Sequence, residues 1–261
     1  PYSTNAVSSI AECLRKEGYT TAFFHGAPNG SMGFQAYARS AGFDRYFGMD
    51  EYDGIEAFDG TWAIWDEEFL QYYARSMNQM QQPFMTAVFT ASSHHPFRVP
   101  KQYEGEFPIG KQPIHQCVGY TDHALRKFFE YAKEQDWYEH TLFVLTADHT
   151  NQVTLPEYAN AKGLFEVPIA FYSPQWEKGE LRKIGTISQT DIMPSVLAYL
   201  GYNKPFFAFG ENALTQDKQH PWAICYNYPV YQLLSDSLLI QFDGKTISAV
   251  YNYDTDPLLQ H

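Results

Sequence analysis

Thr141-Leu142-Phe143-Val144-Leu145-Thr146-Ala147-Asp148-His149 runs apolar for most of its length and then presents a carboxylate and an imidazole side by side. A short apolar run of this kind reads as a buried strand, and the pair follows where the backbone leaves the sheet. Adjacent oxygen and nitrogen donors at such an exit suit a divalent metal. A loop-capping Asp beside a surface His is the structural alternative, and the dipeptide alone does not separate the two.

Outward from this stretch, segments of strand and helix character alternate. Ser3 or Thr4 is expected to cap a helix carrying Val7, Ile10 and Leu14 on one face, with Gly18 as its stop. Thr20 to Phe24 reads as a buried strand ending at His25-Gly26, followed by a helix to Ala41 that Gly42 terminates. Residues 50–59 are acidic and irregular, and a helix from Asp66 turns Phe69, Tyr72 and Tyr73 inward. A second strand over 84–91 closes in Ser92-Ser93-His94-His95-Pro96. Ile114, Val118, Leu125, Phe128, Phe129 and Ala132 then share helical spacing. Residues 167–172 read as a fourth strand and 189–200 as a helix, with Pro194 tolerable only near its first turn. The pattern predicts an α/β fold, a mostly parallel sheet with helices on both faces. From His220 the character changes, and 238–242 and 247–251 read as a hairpin around Asp243-Gly244, a small C-terminal antiparallel β element. Residues 1–219 are thus expected to form a partial α/β domain and 220–261 an antiparallel extension of the same domain.

With 261 residues, 44% of them hydrophobic, the chain can bury the core of one large domain. Its formal charge of −12 repels nucleic acid, which is disfavoured as a partner. No apolar run approaches the roughly eighteen residues of a membrane helix. Pro1 rather than Met opens the chain, with no charged-then-apolar leader ahead of it, so a processed product or a portion of a longer protein is expected. Cys13, Cys117 and Cys225 lie far apart without CxxC spacing, which argues against a thiolate zinc site and a disulfide framework.

Three of the four expected core strands end in histidine-bearing loops: His25 after the first, His94 and His95 after the second, Asp148 and His149 after the third. In parallel α/β sheets ligands gather outside the carboxyl ends of the strands, so these residues are expected to converge on one edge. Each also has a plainer reading. His94-His95-Pro96 is compatible with a simple turn, and His25 with a bond to neighbouring backbone. His115, His123, His140, His220 and His261 are expected to be solvated. A divalent ion held by Asp148 and His149 would neutralise anionic oxygens, while a nearby imidazole donates to a phosphate or sulfate oxygen.

Phe24-His25-Gly26, the stretch from Ala41 to Phe47, Ser93-His94-His95-Pro96-Phe97, the stretch from Tyr120 to Leu125, Thr146-Ala147-Asp148-His149, Val167-Pro168-Ile169 and Asp191-Ile192-Met193-Pro194-Ser195 occur in one order. That order resembles the lipoteichoic-acid-synthase-like proteins of the sulfatase branch of the alkaline phosphatase superfamily. The tail from Val250 to Pro257 is also similar to the end of a sulfatase domain. The resemblance implies a hydrolase or transferase of sulfate or phosphate esters, most like a phosphoglycerol transferase. A Thr, Ser or formylglycine nucleophile is implied, bound to one divalent metal ion (Mn, Mg or Ca). By the same resemblance Asp148 and His149 match the later metal ligands, and His94 matches a histidine on the substrate's anionic group. His25 is the second substrate-binding candidate. No catalytic nucleophile is expected in this chain, because family members carry it, with the acidic ligand, upstream of the Phe-His-Gly segment.

Two departures stand out. The Gram-positive synthases place a Trp and an Arg in the loop after His-Gly, whereas this loop reads Asn29-Gly30-Ser31-Met32-Gly33-Phe34. Thr150-Asn151, not Gly, follows the Asp-His pair. The partner implied is an anionic small molecule, lipid or glycan, with membrane contact only through segments outside these residues. The implied location is extracytoplasmic, periplasmic or on the outer face of the cytoplasmic membrane. The alternative is a non-catalytic module that grips an anionic glycan or lipid headgroup on the same fold, with Trp62 and Trp65 suited to sugar stacking or, more simply, to packing.

Overall fold

A computed structural model describes residues 8–176, 184–215, 221–235 and 237–260, the side chain of residue 55 excepted. Ser3, Thr4, Val7, His220 and His261 lie outside the described residues. The chain divides into two compact units, Pro1–Glu139 and His140–His261.

The first unit is built on α1 (Ile10–Arg15), β1 (Thr20–His25), α2 (Phe34–Ser40), β2 (Arg45–Phe47), α3 (Asp66–Met77), β3 (Phe84–Phe89) and α4 (Ile114–Ala132). The cap of α1 is Ser9, whose hydroxyl accepts from the Glu12 amide at 3.0 Å. The three strands form a parallel sheet in the order β2-β1-β3, with Phe24 opposite Phe47 and Val88 and with His25 opposite Phe89. A central parallel strand is covered on both faces, and β1 shows it. Phe24 packs on Phe47 and Tyr73 at ring distances of 4.5 and 4.8 Å, while Phe23 meets Phe34, Phe43 and Tyr46 at 5.5–6.1 Å. Asp44 ties the entry of β2 back to β1, accepting from the Thr21 amide and hydroxyl at 3.2 and 2.9 Å.

The apolar face of α4 differs from the expected one. Cys117, Tyr120, Ala124, Phe128 and Ala132 are buried, whereas Val118 is 54% exposed. Small side chains at Cys117, Ala124 and Ala132 allow close packing with α3, and the Tyr120 hydroxyl accepts from the Glu67 amide at 3.2 Å. A polar tip with a partner and a run of small residues therefore outcompete the larger aliphatics for the inner face.

The second unit contains β4 (Phe143–Thr146), β5 (Ile169–Tyr172), α5 (Ile192–Tyr199), β6 (Trp222–Asn227), β7 (Val230–Ser235), β8 (Leu238–Phe242) and β9 (Ile247–Asn252). The fourth expected strand, β5, pairs with β4 antiparallel, Thr146 opposite Ile169, so the parallel sheet proper has three strands among the described residues. Pro194 is the third residue of α5, within the first turn. The expected hairpin is present as β8 and β9, its turn held by Asp243, which accepts from the Lys245 and Thr246 amides at 2.8 Å each. It extends into a four-stranded antiparallel sheet, β6-β7-β8-β9. The cysteines are free, as their spacing predicts. Among the described residues no helix is long and apolar enough to cross a membrane.

One buried carboxylate organises the first unit. Asp66, 2% exposed at the first turn of α3, accepts from the amides of Ala91 and Ser92 at 2.8 and 3.1 Å and from the Thr121 hydroxyl at 3.2 Å. Its own amide donates to Ser92 Oγ at 2.9 Å. Burial pushes the Asp66 carboxyl above its ordinary range, and these hydrogen bonds oppose that rise. Asp66→Ala leaves the Ala91 and Ser92 amides unsatisfied in the interior and should lower unfolding stability by about 2–4 kcal/mol in urea titration. A loss below about 0.5 kcal/mol, the usual range of surface substitutions, would show that the loop after β3 holds itself.

Candidate functional site

Strands β1 and β3 end level, because His25 pairs with Phe89, and their exit loops lie side by side. His25 is fully buried. Its Nδ1–H donates to the Phe89 carbonyl at 3.1 Å, and its ring is packed by Phe34, Phe89 and Trp62 at 4.6, 5.2 and 5.3 Å. Loss of solvation pushes its pKa below the usual imidazole value, with the bond to Phe89 acting in the other direction. The ring is therefore neutral at pH 7, and its Nε2 lone pair is buried without a hydrogen-bond partner.

His94 is exposed in the loop after β3. Its Nδ1–H donates to the His95 carbonyl at 3.0 Å, and its ring lies 4.6 Å from Trp62. The structure thus brings His25 and His94 to one indole. His95 is exposed and meets Phe97 edge-on. The loop is held at both ends: Asp66 grips Ala91 and Ser92, while Gln116 and Cys117 donate to the carbonyls of Phe97 and Arg98 at 3.3 and 3.5 Å. Phe97 sits at φ +59°, a left-handed conformation that a bulky side chain adopts only when its surroundings impose it.

In the second unit the backbone leaves β4 through Ala147, whose carbonyl accepts from Gln189 Nε2 at 2.7 Å. Asp148 and His149 follow, with side chains 53% and 68% exposed. Asp148 Oδ1 accepts from the His149 amide at 2.9 Å, and His149 Nε2 lies 3.3 Å from Asp148 Oδ2. The His149 Nδ1–H donates to the Thr150 carbonyl at 2.6 Å, and Thr150 Oγ1 to the Leu164 carbonyl at 2.6 Å. A backbone carbonyl on Nδ1 selects the tautomer whose Nε2 lone pair is free, as in metal-ligating histidines. His149 Nε2 faces a carboxylate oxygen, an arrangement that either an ion pair or a shared cation satisfies. Their 3.3 Å separation is one that two ligands of a single ion can span, given bonds of about 2.0–2.2 Å. The pair fits half of a metal site. Among the described residues no group of three His, Cys, Asp or Glu side chains is arranged to hold an ion.

The remaining histidines divide. His115 accepts from the Lys111 amide at 3.2 Å, and His140 meets Gln175 at 3.1 Å. His123 departs from its expected solvated position: it is half-buried, 3.1 Å from the Tyr103 hydroxyl and 3.6 Å from Glu67, which also pairs with Lys127 at 2.6 Å. Two residues near the site escaped the sequence reading. Asp66 carries an ordinary helix-start signal that says nothing of the loop it grips, and Arg98 has no motif around it.

Residues 1–202 match a protein-family model described as Sulfatase. A lipoteichoic acid synthase-like protein of Bacillus subtilis is 24% identical over 246 residues, covering 86% of this chain and 40% of that protein. The chain spans about two fifths of the length of the curated relatives it matches. Among solved structures, an alkaline phosphatase superfamily protein from Vibrio parahaemolyticus aligns with a TM-score of 0.83 at 20% identity, covering 99% of this chain and 67% of that one. The lipoteichoic acid synthase LtaP from Listeria monocytogenes aligns at 0.82 and 22% identity, covering 97% and 67%. At these identities the structures speak to the fold, which is alkaline-phosphatase-like.

The buried neutral His25 generates a pH prediction. Its folded pKa lies below the unfolded value of about 6.5, so the unfolded chain binds the extra proton and stability is lost as pH falls through that value. Unfolding free energy should drop between about pH 7.5 and 5.5, and His25→Phe should flatten that drop. Equal slopes for the two proteins in denaturant titrations would mean that the ring takes up its proton equally in both states.

Proposed function

Because the chain belongs to the sulfatase family, we propose that it forms the substrate-gripping and later metal-ligand portion of a metal-dependent enzyme acting on sulfate or phosphate esters, most like a phosphoglycerol transferase. The observation that carries this reading is the Asp148-His149 arrangement, a carboxylate oxygen and an imidazole lone pair 3.3 Å apart with the other ring nitrogen committed to a carbonyl.

Asp148 and His149 hold one divalent ion, Mn, Mg or Ca. When bound, such an ion supplies charge neutralisation at the ester oxygens and lowers the pKa of an attacking hydroxyl. His94 offers its solvent-facing Nε2 to the anionic group, where a protonated imidazole donates to an oxygen. His25, fully buried against Trp62, is the second substrate-binding candidate. The nucleophile and the remaining ligands come from outside the described residues, so the chain by itself is inactive. Its place in the cell is extracytoplasmic and its substrate an anionic lipid or glycan ester, readings supported by the kinship with lipoteichoic acid synthases. Residues 1–219 act as the α/β domain of this enzyme and 220–261 as its antiparallel extension.

Two measurements test this. Titrated with Mn2+, the purified chain should show broadening of the His149 ring signals in NMR at millimolar metal, abolished in Asp148→Ala/His149→Ala; unchanged broadening in the double variant would remove the metal assignment. Expressed with its native upstream sequence, the protein should turn over an aryl sulfate or a glycerophospholipid in a metal-dependent way, while the 261-residue chain does not. Equal turnover by both forms would place the nucleophile within this chain, and no turnover by either would favour a binding module.

A further inference from the structure

A cavity of about 1130 Å³ lies wholly within the second unit. It exceeds the roughly 300–1,000 Å³ of an ordinary small-molecule site. Its lining is mostly aliphatic and aromatic: Ile169 and Phe171 come from β5, Ala223 from β6, Leu234 from β7, and Ile187 and Leu214 from segments between the named elements. A void among apolar side chains is costly, because each lining atom forfeits its packing partners, so a cavity of this size calls for an occupant.

Much of the hydrogen-bonding capacity of this lining is already taken. Gln189 Nε2 donates to the Ala147 and Asp148 carbonyls at 2.7 and 3.2 Å, Ser188 Oγ accepts from the Thr190 hydroxyl at 3.0 Å, and the Tyr199 hydroxyl donates to Ser173 Oγ at 3.3 Å. The two charged residues of the lining, Lys162 and Glu166, pair with each other, and Lys162 also lies 5.4 Å over the Tyr253 ring. A sugar buried here would need free donors and acceptors, and an anion a free cation, whereas a hydrocarbon needs neither. One end of the cavity reaches the Asp148-His149 loop. Gln189, exposed and part of the lining, is the residue that holds the Ala147 and Asp148 carbonyls, and Ile169 is paired with Thr146 at the last position of β4. An occupant with its tail among Ile169, Phe171 and Leu234 therefore leaves its head beside the Asp-His pair.

We propose that this cavity receives the hydrocarbon chain of an amphiphilic ester whose phosphate or sulfate lies at Asp148 and His149, which makes the substrate a lipid rather than a glycan. The inference rests on the reading of the Asp-His pair as a metal site, and the two can fail separately. Removal of apolar surface from water drives the binding, about three- to fourfold in affinity per methylene, independently of any bond formed at the headgroup.

The test uses the 261-residue chain with butyl, hexyl, octyl and decyl phosphate, each below its micelle concentration, and with the matching alkanols, binding being followed through the Phe171 ring and Ile169 methyl signals in NMR. Affinity should rise about tenfold for every two methylenes in both series, and intermolecular NOEs should place the chain against Ile169 and Phe171. Ala223→Phe and Ile187→Trp, which fill the space from different segments, should flatten the gradient, with thermal melts checking each fold. Mn2+ should strengthen the phosphates over the alkanols, a gap that Asp148→Ala/His149→Ala removes without changing the gradient. A gradient without that gap leaves the cavity standing and overturns the metal reading, and a gap without a gradient does the reverse. Equal affinity across chain lengths, a gradient untouched by both filling variants, or NOEs confined to other residues would overturn the proposal. The gradient should persist in the protein expressed with its native upstream sequence. Its disappearance there would mean that the cavity is covered in the longer chain, which overturns the proposal as well.

Discussion

The carboxylate of Asp66 is the point on which the first unit turns. A carboxyl group sealed from water is costly, and it is accommodated here because four hydrogen bonds converge on one residue: two backbone amides and a hydroxyl into the carboxyl group, and its own amide out to Ser92. Those partners belong to three elements. The start of α3, the exit of β3 and the middle of α4 are thereby locked to one another, and the loop that carries His94 leaves a fixed point. Gln116 and Cys117 hold its other end, so the imidazole is presented by a loop with little freedom. A loop tied at both ends presents its side chains without an ordering cost at the moment of contact.

Above that lock, the parallel sheet sets the level at which the site forms. β1 and β3 end together, so the residues that follow them face one another, and the turn from Asp59 delivers Trp62 into the gap. His25 closes the floor. Its neutrality follows from burial, and a neutral ring packed among Phe34, Trp62 and Phe89 spares the interior a charge. In the second unit the same logic operates at the end of β4, where Gln189 fastens Ala147 and the tautomer of His149 is selected by the Thr150 carbonyl.

A chain at −12 repels anions except where cationic groups are held locally. Among the described residues of the first unit, Arg98 forms no ion pair with a carboxylate and His94 is exposed. Each sits at or just after a strand exit, where side chains reach outward while the sheet keeps their roots rigid.

Periodicity and punctuation in the chain determined the alternation of strands and helices, the stops at Gly18 and Gly42, the Asp243-Gly244 hairpin and the placing of His25, His94, Asp148 and His149 at strand exits. These depend on local chemistry: apolar spacing, glycine at positive φ, an Asx turn. The direction of β5 was decided only by its pairing with β4, because an apolar strand is the same in either orientation until a neighbour is chosen. Strands β6 and β7 were equally hidden, joined by Tyr228-Pro229 with no glycine or asparagine to mark the turn, and with Gln232 buried through bonds to Ala161 and Gln241. The inner face of α4 followed from what α3 offered it rather than from its own most apolar residues. The contact of Trp62 with the two histidines, the bond of Arg98 to Thr61 and the grip of Asp66 on the loop after β3 join residues dozens of positions apart. Hydrogen bonds and ring contacts at that separation exist only once the chain has folded, and no local pattern carries them.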